Sequence, residues 1–130
     1  MQVYATSLDR GSERFRRNRA AMLERLEEID RQLALARGGG GERYVARHRQ
    51  RGKLLVRQRI DLLVDRDSPF LELSPLAAWG TDFAVGAAMV SGIGVVSDVE
   101  CLIMGNDPTV RGGSLNPYTV KKTLRAFDVA

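Results

Sequence analysis

Apolar positions in the first third of the chain recur at helical spacing. Met22, Leu26, Ile29, Leu33 and Ala36 form a narrow seam, and Phe15 opens the pattern. Such a seam predicts a helix that packs on another helix, because one stripe has too little core to stand alone. Ser12 stands where an N-cap belongs. Glu24, Arg25, Glu27, Glu28 and Arg31 face away from the seam, with Glu27 and Arg31 as an i,i+4 pair in favourable order. Four glycines, Gly38-Gly39-Gly40-Gly41, end the helix and read as a flexible joint. Residues 1–41 are therefore expected to be an N-terminal helical arm with a glycine linker, docking on another part of the protein or on a neighbouring subunit.

Shorter periods follow. A basic helical region starts at Glu42 and is interrupted at Gly52, and a helix over 56–64 should turn Ile60, Leu63 and Val64 inward with Arg57 and Arg59 outward. Asp65-Arg66-Asp67-Ser68-Pro69 is a turn cluster, and Phe70-Leu71-Glu72-Leu73 alternates like a short strand. Trp79, in an irregular stretch, is expected to be a packing anchor. Residues 87–96 and 99–104, rich in β-branched side chains and separated by Ser97-Asp98, predict a β-hairpin. Gly92 and Gly94 predict a bend, a bulge or a close backbone approach in its first strand. After a glycine-rich loop, Asn116-Pro117 is an N-cap followed by a residue tolerated at the first helical position. In the helix over 118–130, Val120, Leu124 and Phe127 or Val129 should form the buried face, and Lys121, Lys122 and Arg125 a basic one. That helix has no stop signal before Ala130, which suggests a fragment of a longer protein.

Charge sharpens the division. Residues 1–66 hold 15 Arg, 1 Lys and 9 acids, net +7; residues 67–130 hold 4 basic and 7 acidic side chains, net −3. The basic half could face nucleic acid, cofactor phosphates or an acidic subunit, or could simply be solvated helix surface. The single Cys101 lies in an apolar strand and excludes an internal disulfide, which fits a reducing, cytoplasmic compartment. The lone His48 has no second histidine with which to bind a metal, so no metal is expected. Neither a secretory signal nor a membrane-spanning run is visible.

The loop Gly105-Asn106-Asp107-Pro108-Thr109-Val110-Arg111-Gly112-Gly113-Ser114 is the candidate for chemistry. A glycine loop opening into a helix can present backbone N–H groups to a phosphate or an oxyanion. Alternatively its glycines only reverse the chain. Asn106, Asp107, Thr109, Gly112 and Gly113 are expected to act structurally, with the polar side chains bonding loop backbone.

Together these segments resemble the carboxyltransferase (beta) subunits of biotin-dependent acyl-CoA carboxylases. Arg51-Gly52-Lys53-Leu54-Leu55-Val56-Arg57-Gln58-Arg59-Ile60 resembles that family's "RGKL…RERI" run, and residues 65–73 resemble its "D-P-G-S-x-F-x-E" turn, with Arg66-Asp67 in place of Pro-Gly. Val90-Ser91-Gly92-Ile93-Gly94-Val95-Val96 is similar to its "V-x-G-x-G-x-V" strand. Residues 106–113 are similar to its "N-D-x-T-V-x-G-G" loop, and Lys121-Lys122-Thr123-Leu124-Arg125-Ala126 to its "K-K-x-L-R-A" helix. Five pieces in order cover residues 42–130, and the run after Phe70 leans toward the methylcrotonyl-CoA type.

The resemblance implies an α/β fold: the start of a crotonase-like spiral of strand-strand-helix units, incomplete within residues 42–130. It implies transfer of a carboxyl group from carboxybiotin, carried on a biotin carboxylase or biotin carboxyl carrier subunit, to an acyl-CoA within a homo-oligomer of beta subunits. The family's oxyanion donors lie beyond Ala130, so no catalytic residue is expected within residues 1–130 and the isolated chain should be inactive. Arg49, Arg51, Lys53, Arg57, Lys121 and Arg125 become candidates for the CoA phosphates. A basic nucleic-acid-binding or oligomerisation module is the alternative. For nucleic acid it rests on arginine content alone and lacks interleaved aromatics, so neither nucleic acid nor membrane is an expected partner.

Overall fold

A computed structural model describes residues 6–130. They fall into two units, one up to Arg31 and one from Gln32 to Ala130. In the first, Ser12 caps α1 (Glu13–Arg37) as expected, its Oγ accepting from Phe15 N at 3.2 Å. No residue of α1 is buried. Arg31 pairs with Glu28, one turn back, and not with Glu27 as the i,i+4 spacing suggests.

The second unit is built on the hairpin. β2 (Met89–Val96) and β3 (Val99–Asn106) pair antiparallel in unbroken register from Met89↔Asn106 to Val96↔Val99. The two-residue turn puts Ser97 at φ 51° and Asp98 at φ 63°, the left-handed pair whose twist matches the strands. Asp65 fastens it: Ser97 N and Asp98 N each donate to an Asp65 carboxylate oxygen at 2.8 Å. Those two bonds hold the Asp65 carboxyl below its usual range. β1 (Leu71–Glu72) joins the outer side of β2, giving the order β1-β2-β3.

Glycines decide which face of the hairpin is covered. A Cβ on Gly92 would lie 2.5 Å from Leu71 O and from the Phe70 ring, on Gly94 2.9 Å from Val64, and on Gly105 2.6 Å from Val56. The backbone approaches closely there, with no bulge. α3 (Val56–Leu63) sits over this face, and Val56, Ile60, Val90 and Ile103 form the core with Val64, Phe70, Val96 and Cys101 against it. Leu63, expected inward, is exposed, and so is Trp79 at 44 %, which is no packing anchor here.

α2 (Glu42–Gln50) precedes α3, and Gly52 at φ 69° reverses the chain between them. The four-glycine segment is a packed turn and not a free joint. Gly40 N donates to Thr109 Oγ1 at 2.9 Å, and a Cβ on Gly40 would fall 1.8 Å from Thr109 O.

α4 (Pro117–Val129) docks by polar atoms, which overturns the expected apolar face. Val120, Leu124, Phe127 and Val129 are all exposed; Thr119, Lys122 and Ala126 are buried. The strand ahead of them begins at Met89 and not at Ala87, because Gly86, Ala87 and Ala88 all take positive φ (88°, 55° and 57°). Their tight turn points carbonyls at α4. Thr119 Oγ1 donates to Ala87 O at 2.8 Å, and Lys122 Nζ donates to Met89 O at 2.7 Å and Gly86 O at 3.3 Å.

Candidate functional site: a basic concavity

A hollow of about 960 Å³, open to solvent, lies beside α3 and β3. Val56, Ile60, Ile103 and Met104 give it an apolar floor. His48, Arg51, Lys53 and Arg59 line it from the helical side, Asn106 from the end of β3 and Gly112 from the loop after it. The chain reversal at Gly52 is what delivers Arg51 and Lys53 to one place. His48 Nε2 lies 3.1 Å from Leu54 O; a carbonyl only accepts, so that nitrogen carries the proton. A hollow of this size, with an apolar floor and a few cations, suits a small anionic ligand with an apolar portion.

The six cations singled out in the sequence separate. Arg51 and Lys53 line the concavity. Arg49 is exposed on α2 outside it, and Lys121 and Arg125 are exposed on α4. Arg57 is engaged elsewhere: its guanidinium forms a two-pronged pair with Glu72 at 2.7 and 2.8 Å, tying α3 to β1. Arg59 and His48 belong to the lining, and spacing did not single them out as ligand candidates.

Within the glycine loop, Asp107 and Thr109 bond one another. Asp107 Oδ1 accepts from Thr109 N at 2.9 Å and from Thr109 Oγ1 at 2.6 Å. Gly112 and Gly113 take φ of 72° and 78°, as only glycine does freely. Gly112 also reaches the concavity, as does Asn106. The first amides of α4 are not open to an anion: Asn116 Oδ1 accepts from Tyr118 N at 2.9 Å and Thr119 N at 3.0 Å. The anion-cradle reading of this helix start therefore fails, because its own cap occupies those donors.

Lys122 is the buried ion that the pattern concealed. It is 3 % exposed, and burial pushes its ammonium down to about 8, with Glu72 opposing the shift and Arg57 adding to it. The missed signal was the small polar stripe Thr119, Lys122, Thr123, Ala126, which marks a face of close approach. Among the described residues no cluster of three or more His, Cys, Asp or Glu is placed to hold a metal, and no helix is long and apolar enough to cross a membrane.

This hairpin with its flanking helices has known counterparts. The carboxyl transferase domain family matches residues 47–130, and the chain belongs to that family. A Mycobacterium tuberculosis protein described as "Probable biotin-dependent acyl-coenzyme A carboxylase beta2 subunit" is 54 % identical over 96 % of this chain and 24 % of its own length. The "Biotin-dependent 3-methylcrotonyl-coenzyme A carboxylase beta1 subunit" of the same organism is 54 % identical over 79 % of this chain and 20 % of its own. The crystal structure of the P. aeruginosa geranyl-CoA carboxylase beta subunit superposes with a TM-score of 0.73 at 34 % identity, over 99 % of this chain and 24 % of that one. The chain thus spans about a quarter of the length of such relatives.

Proposed function

We propose that this chain is the opening part of a carboxyltransferase beta subunit of a biotin-dependent acyl-CoA carboxylase, and that its basic concavity receives the phosphates of CoA. The observation that carries the second half is the convergence of Arg51 and Lys53, with Arg59 and His48 beside them, over one hollow. Arg59 and His48 replace Arg57 in the proposed set, since Arg57 is held by Glu72. Arg49, Lys121 and Arg125 stand outside the hollow and are left for subunit contacts or solvent.

Residues 42–130 are read as the first strand-strand-helix unit of a crotonase-like spiral, with residues 1–41 as its arm. The exposed Val120, Leu124 and Phe127 on α4 suit a following unit of that spiral. Biotin is brought by a carrier or biotin carboxylase subunit, and the carboxyl group passes from it to the acyl-CoA. A methylcrotonyl-like acyl group is favoured, in line with the beta1 relative's name. The lone, half-buried Cys101 suits a reducing compartment such as the cytoplasm.

Calorimetric titration of the chain with CoA, dephospho-CoA and pantetheine tests the site. Affinity should fall in that order, and the Arg51→Glu/Lys53→Glu variant should lose the preference for CoA. Equal affinity for the three, or an unchanged preference in the variant, refutes the assignment. The same preparation should not carboxylate an acyl-CoA from carboxybiotin; turnover would show that the chain is catalytically self-sufficient.

A further inference from the structure

α1 segregates its charges along its length. Residues 13–20 hold four arginines and one glutamate, net +3; residues 21–30 hold four acids and one arginine, net −3. Glu13 in the first turn and Arg37 in the last suit the helix dipole, so the dipole gives no reason for the segregation between them. The same helix leaves the middle of its seam exposed, Met22 by 55 % and Leu26 by 46 %, while Phe15, Ile29 and Leu33 are half-buried. Phe15, Met22 and Ile29 fall seven apart, with Leu26 and Leu33 four residues after the last two, which is the spacing of a helix-pairing seam.

One arrangement answers both features. We propose that α1 pairs with the α1 of a second copy of this chain, antiparallel and centred near Leu23. Reversing the direction lays the basic half of each helix along the acidic half of the other. Arg16 and Asp30 lie seven residues either side of Leu23 on the same flank of the seam, so they meet across the interface twice. Met22 and Leu26 of both copies close the middle. A parallel pair would instead set four arginines beside four arginines. The CoA concavity contains none of these residues, so either reading can fail without the other.

Sedimentation equilibrium of the whole chain at up to about 100 µM reads the pairing. The expected result is a concentration-dependent species of twice the 14.4 kDa monomer. Leu26→Glu should weaken it at least about tenfold, and so should Arg16→Glu; Arg16→Glu/Asp30→Arg should restore it, because the swapped charges again face each other. Circular dichroism with unchanged helix content separates lost pairing from lost folding. A monomer throughout the range overturns the proposal. So does a dimer indifferent to Leu26→Glu, or a charge swap that fails to restore what the single reversal removed.

Discussion

Replacing Lys122 by Met should make the stability of this chain lose a pH dependence that the wild type has. The buried ammonium titrates near 8 in the folded chain against 10.5 when free. Between those values the unfolded chain holds one more proton than the folded one, so wild-type stability must rise with pH. Below 8 both states are protonated and above 10.5 both are neutral, so the curve is flat at each end. The rise across the window is about 3 kcal/mol, because a one-proton difference contributes about 1.4 kcal/mol for each pH unit crossed. At 3 % exposure, solvent screening removes little of it. Lys122→Met abolishes this rise and also removes the ammonium donor to Met89 O, a cost of about 1–3 kcal/mol, while Gly86 O keeps Met89 N as a partner at 3.2 Å. Near neutral pH the lost carbonyl bonds and the removed ammonium penalty oppose each other. The variant should therefore lie close to wild type there and fall behind it progressively toward alkaline pH. Guanidinium unfolding at intervals across the window measures both curves. Parallel curves would refute the burial of Lys122 against the Gly86–Met89 carbonyls.

Other substitutions report on other joints of the unit. Gly92→Ala places a methyl 2.5 Å from Leu71 O and the Phe70 ring, so it should destabilise by about 1–3 kcal/mol in urea unfolding; a neutral effect would mean that β1 is not packed there. Asp65→Ala should free the Ser97-Asp98 turn, seen as faster amide exchange at those two residues. Because the folded Asp65 pKa lies below its ordinary 3.8, its contribution is complete above that pH and is lost as pH falls through the folded value. The wild-type minus Asp65→Ala stability difference should shrink on acidification, and a difference constant with pH would contradict the clamp. For the Arg57–Glu72 pair, about one-fifth to one-third exposed, a double-mutant cycle should give a coupling of about 1 kcal/mol; zero coupling would show that it does not tie α3 to β1.

Local signals marked the hairpin, its turn, the Gly92 and Gly94 approach and the Asn116 cap, because each depends on a few neighbouring residues. The face of α4 was misread for a physical reason. Apolar spacing assumes that a helix buries hydrocarbon, but here strained residues 86–88 direct carbonyls at the helix. Hydroxyls and an ammonium satisfy them better than Leu124 or Phe127 could. Arg57 was likewise turned outward and offered to the CoA phosphates, since nothing local announces a carboxylate fifteen residues away. The glycine run at 38–41 suggested freedom, whereas its lack of side chains is what lets it lie against Thr109. Of the candidate cations, sequence selected Arg51 and Lys53 by motif, but the hollow that gathers them with Arg59 and His48 arises only when α3 folds onto β3.

Amide hydrogen exchange with and without saturating CoA addresses the concavity most directly. Binding in the hollow adds protection around residues 48–59 and 105–112, absent with pantetheine and absent in the Arg51→Glu/Lys53→Glu variant. Protection confined to α4 around Lys121 and Arg125, or none at all at saturation, would contradict it.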